Sequence, residues 1–193
     1  MTFIGSKNYF YNLEFLHGIM DIITKNYLED FLENYLEDLN MMYMVISFFI
    51  FLLSAWFVPK HCKPIALYGA ILTGIAIEVM IEIFLDKQFN LLGFLTHDID
   101  YAELLISYGI FPLLYIVFLN MFPYGKAFVY KAGYMIVVVV FCMLYERGAL
   151  FFGMLYYHGW KWGYSLLIYP FFLTMLAWNY YWLQERIKFD HEG

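Results

Sequence analysis

Charge is scarce in this chain: Asp, Glu, Lys and Arg make up 15% of its 193 residues, and only 11 are Lys or Arg. No stretch offers the basic stripe with interleaved aromatics that follows a phosphate backbone, which argues against a nucleic-acid partner. Cysteine is rarer still. Cys62 and Cys142 stand in no paired metal or redox spacing, so both read as free thiols and a disulfide scaffold is excluded. HExxH, GxSxG, a phosphate-cradling glycine loop and a haem-type histidine pair are all missing, and no cofactor is predicted. The opening residues MTFIGSKNYFYNLEF lack the basic region, short apolar core and cleavage site of a signal peptide, so the first span is expected to act as its own insertion signal.

What is present is apolar surface. Hydrophobic residues make up 63% of the chain and the mean hydropathy is +0.63, well above ordinary globular usage. The sequence predicts an all-α fold, a polytopic membrane bundle of five transmembrane helices at about 41–58, 64–85, 104–121, 127–145 and 160–182, preceded by an amphipathic interfacial helix. Pro59 stops the first span and Pro64 suits the first turn of the second. Pro112 and Pro170 fall inside spans, where neighbouring helices tolerate them. The organisation expected is therefore an acidic amino-terminal region over 1–40, a membrane domain over 41–184 and a short, mobile cytosolic tail over 185–193. The apolar segment 148–159 is expected to lie as a loop in the interface. Lys60 and Lys63, Lys126 with Lys131, and Arg186 with Lys188 fall on alternate connections, which predicts an outside amino terminus and a cytosolic carboxyl terminus in a cell membrane.

The second span carries Glu78, Glu82 and Asp86 at four-residue spacing, a ladder along one helix face. Counted from Pro64 at about 1.5 Å per residue, Glu78 lies roughly 21 Å in and Asp86 roughly 33 Å in, so the acids occupy one leaflet and its surface. Glu103 opening the third span, Glu146 closing the fourth and His158 before the fifth fall at the same level. Glu78, Glu82, Glu103, Glu146 and His158 are therefore the ion-binding candidates. Carboxylates gathered at low dielectric cannot all ionise, and with one imidazole they could hold a proton or a divalent cation. Arg147 and Lys161 lie at the same depth, so a structural salt-bridge network competes with that reading. Glu146 and His158 are also the candidates for acid/base catalysis. His97-Asp98-Ile99-Asp100 looks like half a metal site, and equally like a solvated acidic loop.

In the amino-terminal region Tyr27, Leu28, Phe31, Leu32, Tyr35, Leu36 and Leu39 form one apolar stripe among Glu29, Asp30, Glu33, Glu37 and Asp38. An acidic polar face is the wrong sign for anionic headgroups. It suits packing on the bundle, or a homo-oligomeric or membrane partner.

Val58-Pro59-Lys60, Phe111-Pro112, Asn120 through Pro123, Glu146, and Tyr157-His158-Gly159-Trp160-Lys161-Trp162 follow in a characteristic order. In these the chain from Val58 onward, about two-thirds of its length, resembles a family of small, uncharacterised five-span membrane proteins of endospore-forming Gram-positive bacteria. The acidic amino-terminal helix departs from the shorter starts of that family. The resemblance implies topology and a cell-membrane location, supplies no activity, and adds weight to Glu146 and the Trp160/Trp162 pair but none to Glu78 and Glu82. Three functions stay open: a non-enzymatic cell-envelope protein, a small cation or proton conductor, and a membrane-embedded enzyme acting on a lipid or envelope substrate.

Overall fold

A computed structural model describes residues 25, 39–94 and 104–192. The chain divides into two compact units, Met1–Leu39 and Asn40–Gly193, and the second holds the helical bundle. The expected amino-terminal helix, His97 to Asp100 and Glu103 lie outside the described residues.

Five helices make up the bundle: α1 (Leu39–Phe57), α2 (Pro64–Glu82, prolonged by a π-helical segment Ile83–Gln88), α3 (Ile106–Met121), α4 (Phe128–Phe151) and α5 (Trp162–Glu192). Three of them, α1, the helix Pro64–Leu85 and α4, are long and apolar enough to cross a membrane; α3 is a shorter apolar helix. Among the described residues the outward faces carry large exposed apolar side chains, such as Trp56, Phe57, Tyr68, Val129, Leu144, Leu167 and Phe171. Such a surface suits hydrocarbon rather than water. Helix α3 is the inner element, with Ile106, Ile110 and Leu119 almost fully enclosed.

Two cores hold the helices together. The larger joins α2, α3, α4 and α5 through Ala70, Tyr115, Phe118, Val139, Met143, Leu176 and Tyr180. The smaller joins α1 to the start of α3 and the end of α4 through Met44, Phe51, Ile106, Ile110, Ala149 and Met154. Close approach in the larger core depends on the small residues Ala66, Ala70 and Gly74, the buried row of α2. A Cβ on Gly74 would sit 2.9 Å from the Tyr115 ring and 3.1 Å from Leu176.

Several boundaries differ from the sequence expectation. Helix α4 passes through Glu146 and Arg147 and ends six residues later than 145, at Phe151. The charges do not mark a surface there, because Glu146 turns inward. What stops the helix is Gly153 at φ 74°, with Gly153 N–H bonded to Leu150 O and Met154 N–H to Ala149 O, a glycine C-terminal cap with its apolar Met154–Ala149 contact. The segment after it is not wholly loop: β1 (Leu92–Phe94) and β2 (Leu155–Tyr157) pair antiparallel, Leu92 opposite Tyr157. Helix α5 runs on to Glu192, ten residues past the expected end of the fifth span at 182; no Gly or Pro interrupts Glu185 to Glu192.

Alternate connections meet at two ends. At one, His61 and Cys62 N–H groups donate to Asn120 Oδ1 at 3.0 and 3.1 Å, and Lys63 N–H donates to the Tyr180 hydroxyl at 3.0 Å. At the other, the β1–β2 ribbon ties the chain after α2 to the chain before α5. The helices are thus antiparallel in sequence, and Glu78, Glu82 and Glu146 all lie toward the ribbon end.

Candidate functional site

Glu146 is 5% exposed, on the inner face of α4, and one of its oxygens collects two hydroxyl donors. Ser165, in the first turn of α5, donates to Oε1 at 2.6 Å, and Tyr157, the last residue of β2, donates its phenol to the same atom. Trp160 Nε1–H in turn donates to Ser165 Oγ at 3.0 Å, so the indole fixes the serine as a donor to the carboxylate. Oε2 is enclosed and has no hydrogen-bond partner among the described residues. Tyr169, one turn further along α5, brings its phenol within hydrogen-bonding as well as electrostatic reach of the carboxylate.

Local geometry explains how these side chains arrive together. The N–H groups of His158, Gly159 and Trp160 all converge on the Leu91 carbonyl at 2.9, 3.1 and 3.0 Å, which pins the segment between β2 and α5 to the chain leaving α2. Side chains alternate along a strand, so Tyr157 faces Glu146 while Tyr156 and His158 meet on the other face, ring centroids 5.1 Å apart. The close hydrogen bonds of Glu146 come from Tyr157 and Ser165, and His158 belongs to the opposite face of the ribbon. Burial foremost, then the Glu146 carboxylate, holds the Tyr157 phenol above its ordinary range, so it remains a donor.

Arg147, the expected neutralising cation, instead lays its guanidinium over the Trp162 ring, 4.7 Å from the centroid. A cation over an indole is a recognised attraction and links α4 to the start of α5. Glu146 is thus held by hydroxyls, with the adjacent cation engaged elsewhere.

A second carboxylate pair lies on α2. Ser107, 3% exposed on α3, sends its hydroxyl toward Glu78 Oε1 at 3.3 Å and Glu82 Oε2 at 3.4 Å. Glu78 and Glu82 continue the four-residue row begun by Ala66, Ala70 and Gly74, which is why they face the bundle rather than the periphery. Ser107 occupies a π-helical turn, Ile106–Ile110, in which Phe111 N–H reaches back five residues to Ile106 O. Pro112 supplies no N–H to the ladder and crowds the preceding turn, and widening to π spacing accommodates it. Between the two carboxylate groups stand Tyr115, within reach of Glu78 and Cys142, and Cys142, one turn from Glu146 on α4.

Of the residues singled out in the sequence, the structure joins Glu78 to Glu82 through Ser107 and sets Glu146 in its own hydroxyl cage. The side chain of Asp86 lies outside the described residues, as does Glu103. Among the described residues no group of three His, Cys, Asp or Glu side chains is gathered as for a metal ion. Ser107 and Ser165 escape sequence reasoning, and Tyr157 enters it only through the run Tyr157 to Trp162, not as a partner of Glu146. The row of small residues ending in Glu78 and Glu82 is a readable sign that these acids face inward; Tyr157 and Ser165 have none.

No family model matches the chain, and no curated protein or solved structure does.

Proposed function

We propose that the protein is a non-enzymatic, five-span integral membrane protein of the cell envelope that takes up a proton or small cation at carboxyl groups held at membrane depth. The observation that carries this reading is Glu146: 5% exposed, bound by hydroxyls on one oxygen, and beside an arginine engaged by Trp162. A carboxyl group so placed in a membrane bundle is a site of proton or cation exchange more readily than an ion-pair strut. Glu78 and Glu82, sharing the Ser107 hydroxyl, extend the same chemistry toward α2 and α3.

Five spans are supported by α5 as well as by the three longest apolar helices. Trp162 to Gln184 contains no charged residue, about 34 Å of helix at 1.5 Å per residue, and its Trp and Tyr side chains suit the membrane boundary. Helix α3 is short, and its inner face is enclosed at Ile106, Ile110 and Leu119 while Tyr108 and Met121 stay exposed. The resemblance to the uncharacterised five-span family agrees with this topology, with the amino terminus outside and the carboxyl terminus in the cytosol.

Proton flux in proteoliposomes tests the proposal. Under an imposed potential, wild-type protein should acidify or alkalinise the lumen and Glu146→Gln should not, because glutamine keeps an acceptor for Tyr157 and Ser165 but cannot exchange a proton. Equal flux from a folded Glu146→Gln protein, with the Glu78→Gln and Glu82→Gln pair also unchanged, would remove it.

A further inference from the structure

Helices α4 and α5 do not close against each other along their full length. Between them runs an open groove of about 670 Å³, within the ~300–1,000 Å³ range of pockets that hold a small molecule. Its walls are almost wholly apolar, with Ile136 and Val140 from α4 facing Leu166 and Pro170 from α5. One end differs. There the half-buried Lys131 lines the groove together with Trp178 and Tyr181, and among the described residues Lys131 has no carboxylate partner.

Length identifies what fits. On α4 the wall from Phe128 to Val140 rises about 18 Å, and on α5 the wall from Tyr181 to Leu166 rises about 22 Å, at 1.5 Å per residue. Half of a bilayer's hydrocarbon core is about 15 Å. The groove is therefore long enough to cover one leaflet and reach its headgroups, with its cation and aromatic boundary residues at that end.

We propose that this groove binds one acyl chain of an anionic phospholipid, with Lys131 on the phosphate. The walls supply tail contact without regard to headgroup, and the lysine supplies preference for a lipid whose net charge is negative. The inference requires membrane placement of α4 and α5 and is independent of proton or cation uptake at Glu146.

Native mass spectrometry of the detergent-purified full chain, offered equal phosphatidylglycerol and phosphatidylcholine, tests it. Wild-type protein should retain phosphatidylglycerol about fivefold over phosphatidylcholine, the effect of one lysine near an anionic headgroup. Lys131→Gln should abolish that preference and Lys131→Arg should keep it. Thr174→Trp, at an exposed position lining the groove, should lower retention of both lipids. Persistence of the preference in Lys131→Gln, undiminished retention in Thr174→Trp, or no lipid on the wild-type protein would each overturn the proposal.

Discussion

Tyr157 donates its phenol to Glu146, joining the last residue of a three-residue strand to the inner face of a 24-residue helix. That bond and the one from Ser165 are the two close hydrogen bonds to an enclosed carboxylate. Tyr157→Phe should therefore destabilise the detergent-solubilised protein by ~1–3 kcal/mol, as should Ser165→Ala, which also strands the Trp160 N–H. Thermal unfolding measures both. Because they share one acceptor, the double variant should depart from additivity by ~0.5 kcal/mol or more; simple additivity would mean the two hydroxyls act apart.

The same bond sets a pH dependence. Tyr157 holds its proton more tightly in the folded protein than in the unfolded chain, since burial and Glu146 raise its phenol. Its contribution is complete below about pH 10, the ordinary phenol value, and falls as pH climbs beyond it. The alkaline loss of stability should be smaller in Tyr157→Phe than in wild type; identical alkaline limbs would place the effect on other groups.

Two glycines should respond oppositely to alanine. Gly74→Ala drives a methyl into Tyr115 and Leu176 and should cost roughly 1–3 kcal/mol. Gly133, on the exposed face of α4, has nothing within 4 Å of its added Cβ, so Gly133→Ala should be neutral or stabilising by up to ~1 kcal/mol. Melting temperatures that move together would refute the tight α2 seam.

Cys62 offers a probe of the opposite end. Burial raises its thiol above the ordinary range, and the Tyr180 hydroxyl partly offsets this. Maleimide labelling should be slow near neutral pH and accelerate as pH rises, because the thiolate is the reactive species. Tyr180→Phe removes the offset and should slow it further. Labelling by an impermeant reagent is expected only from the cytosolic side, and labelling of intact cells would reverse the proposed orientation.

Legibility in the sequence varies by element. The apolar runs between Pro59, the Lys60–Lys63 loop and Pro123 locate α1, α2 and α3 to within a few residues, because span length and prolines act locally. The end of α4 is misplaced from sequence because Glu146 and Arg147 look like surface charges, whereas the stop signal is Gly153. The ribbon has no readable signature: strands of three residues carry too little pattern, and their pairing joins positions 92 and 157, far apart in the chain.

The sequence by itself determined that the chain is helical and apolar, and that Glu78, Glu82 and Glu146 lie toward one end, since composition, helical spacing and alternation of connections need no partner. Only the tertiary structure decided what each acid meets. Ser107 reaches Glu78 and Glu82 because Pro112 widens the turn before it, Tyr157 reaches Glu146 because the ribbon aims it inward, and Arg147 turns to Trp162. Those pairings come from elements distant in sequence, and no local pattern encodes which hydroxyl a buried carboxylate will find.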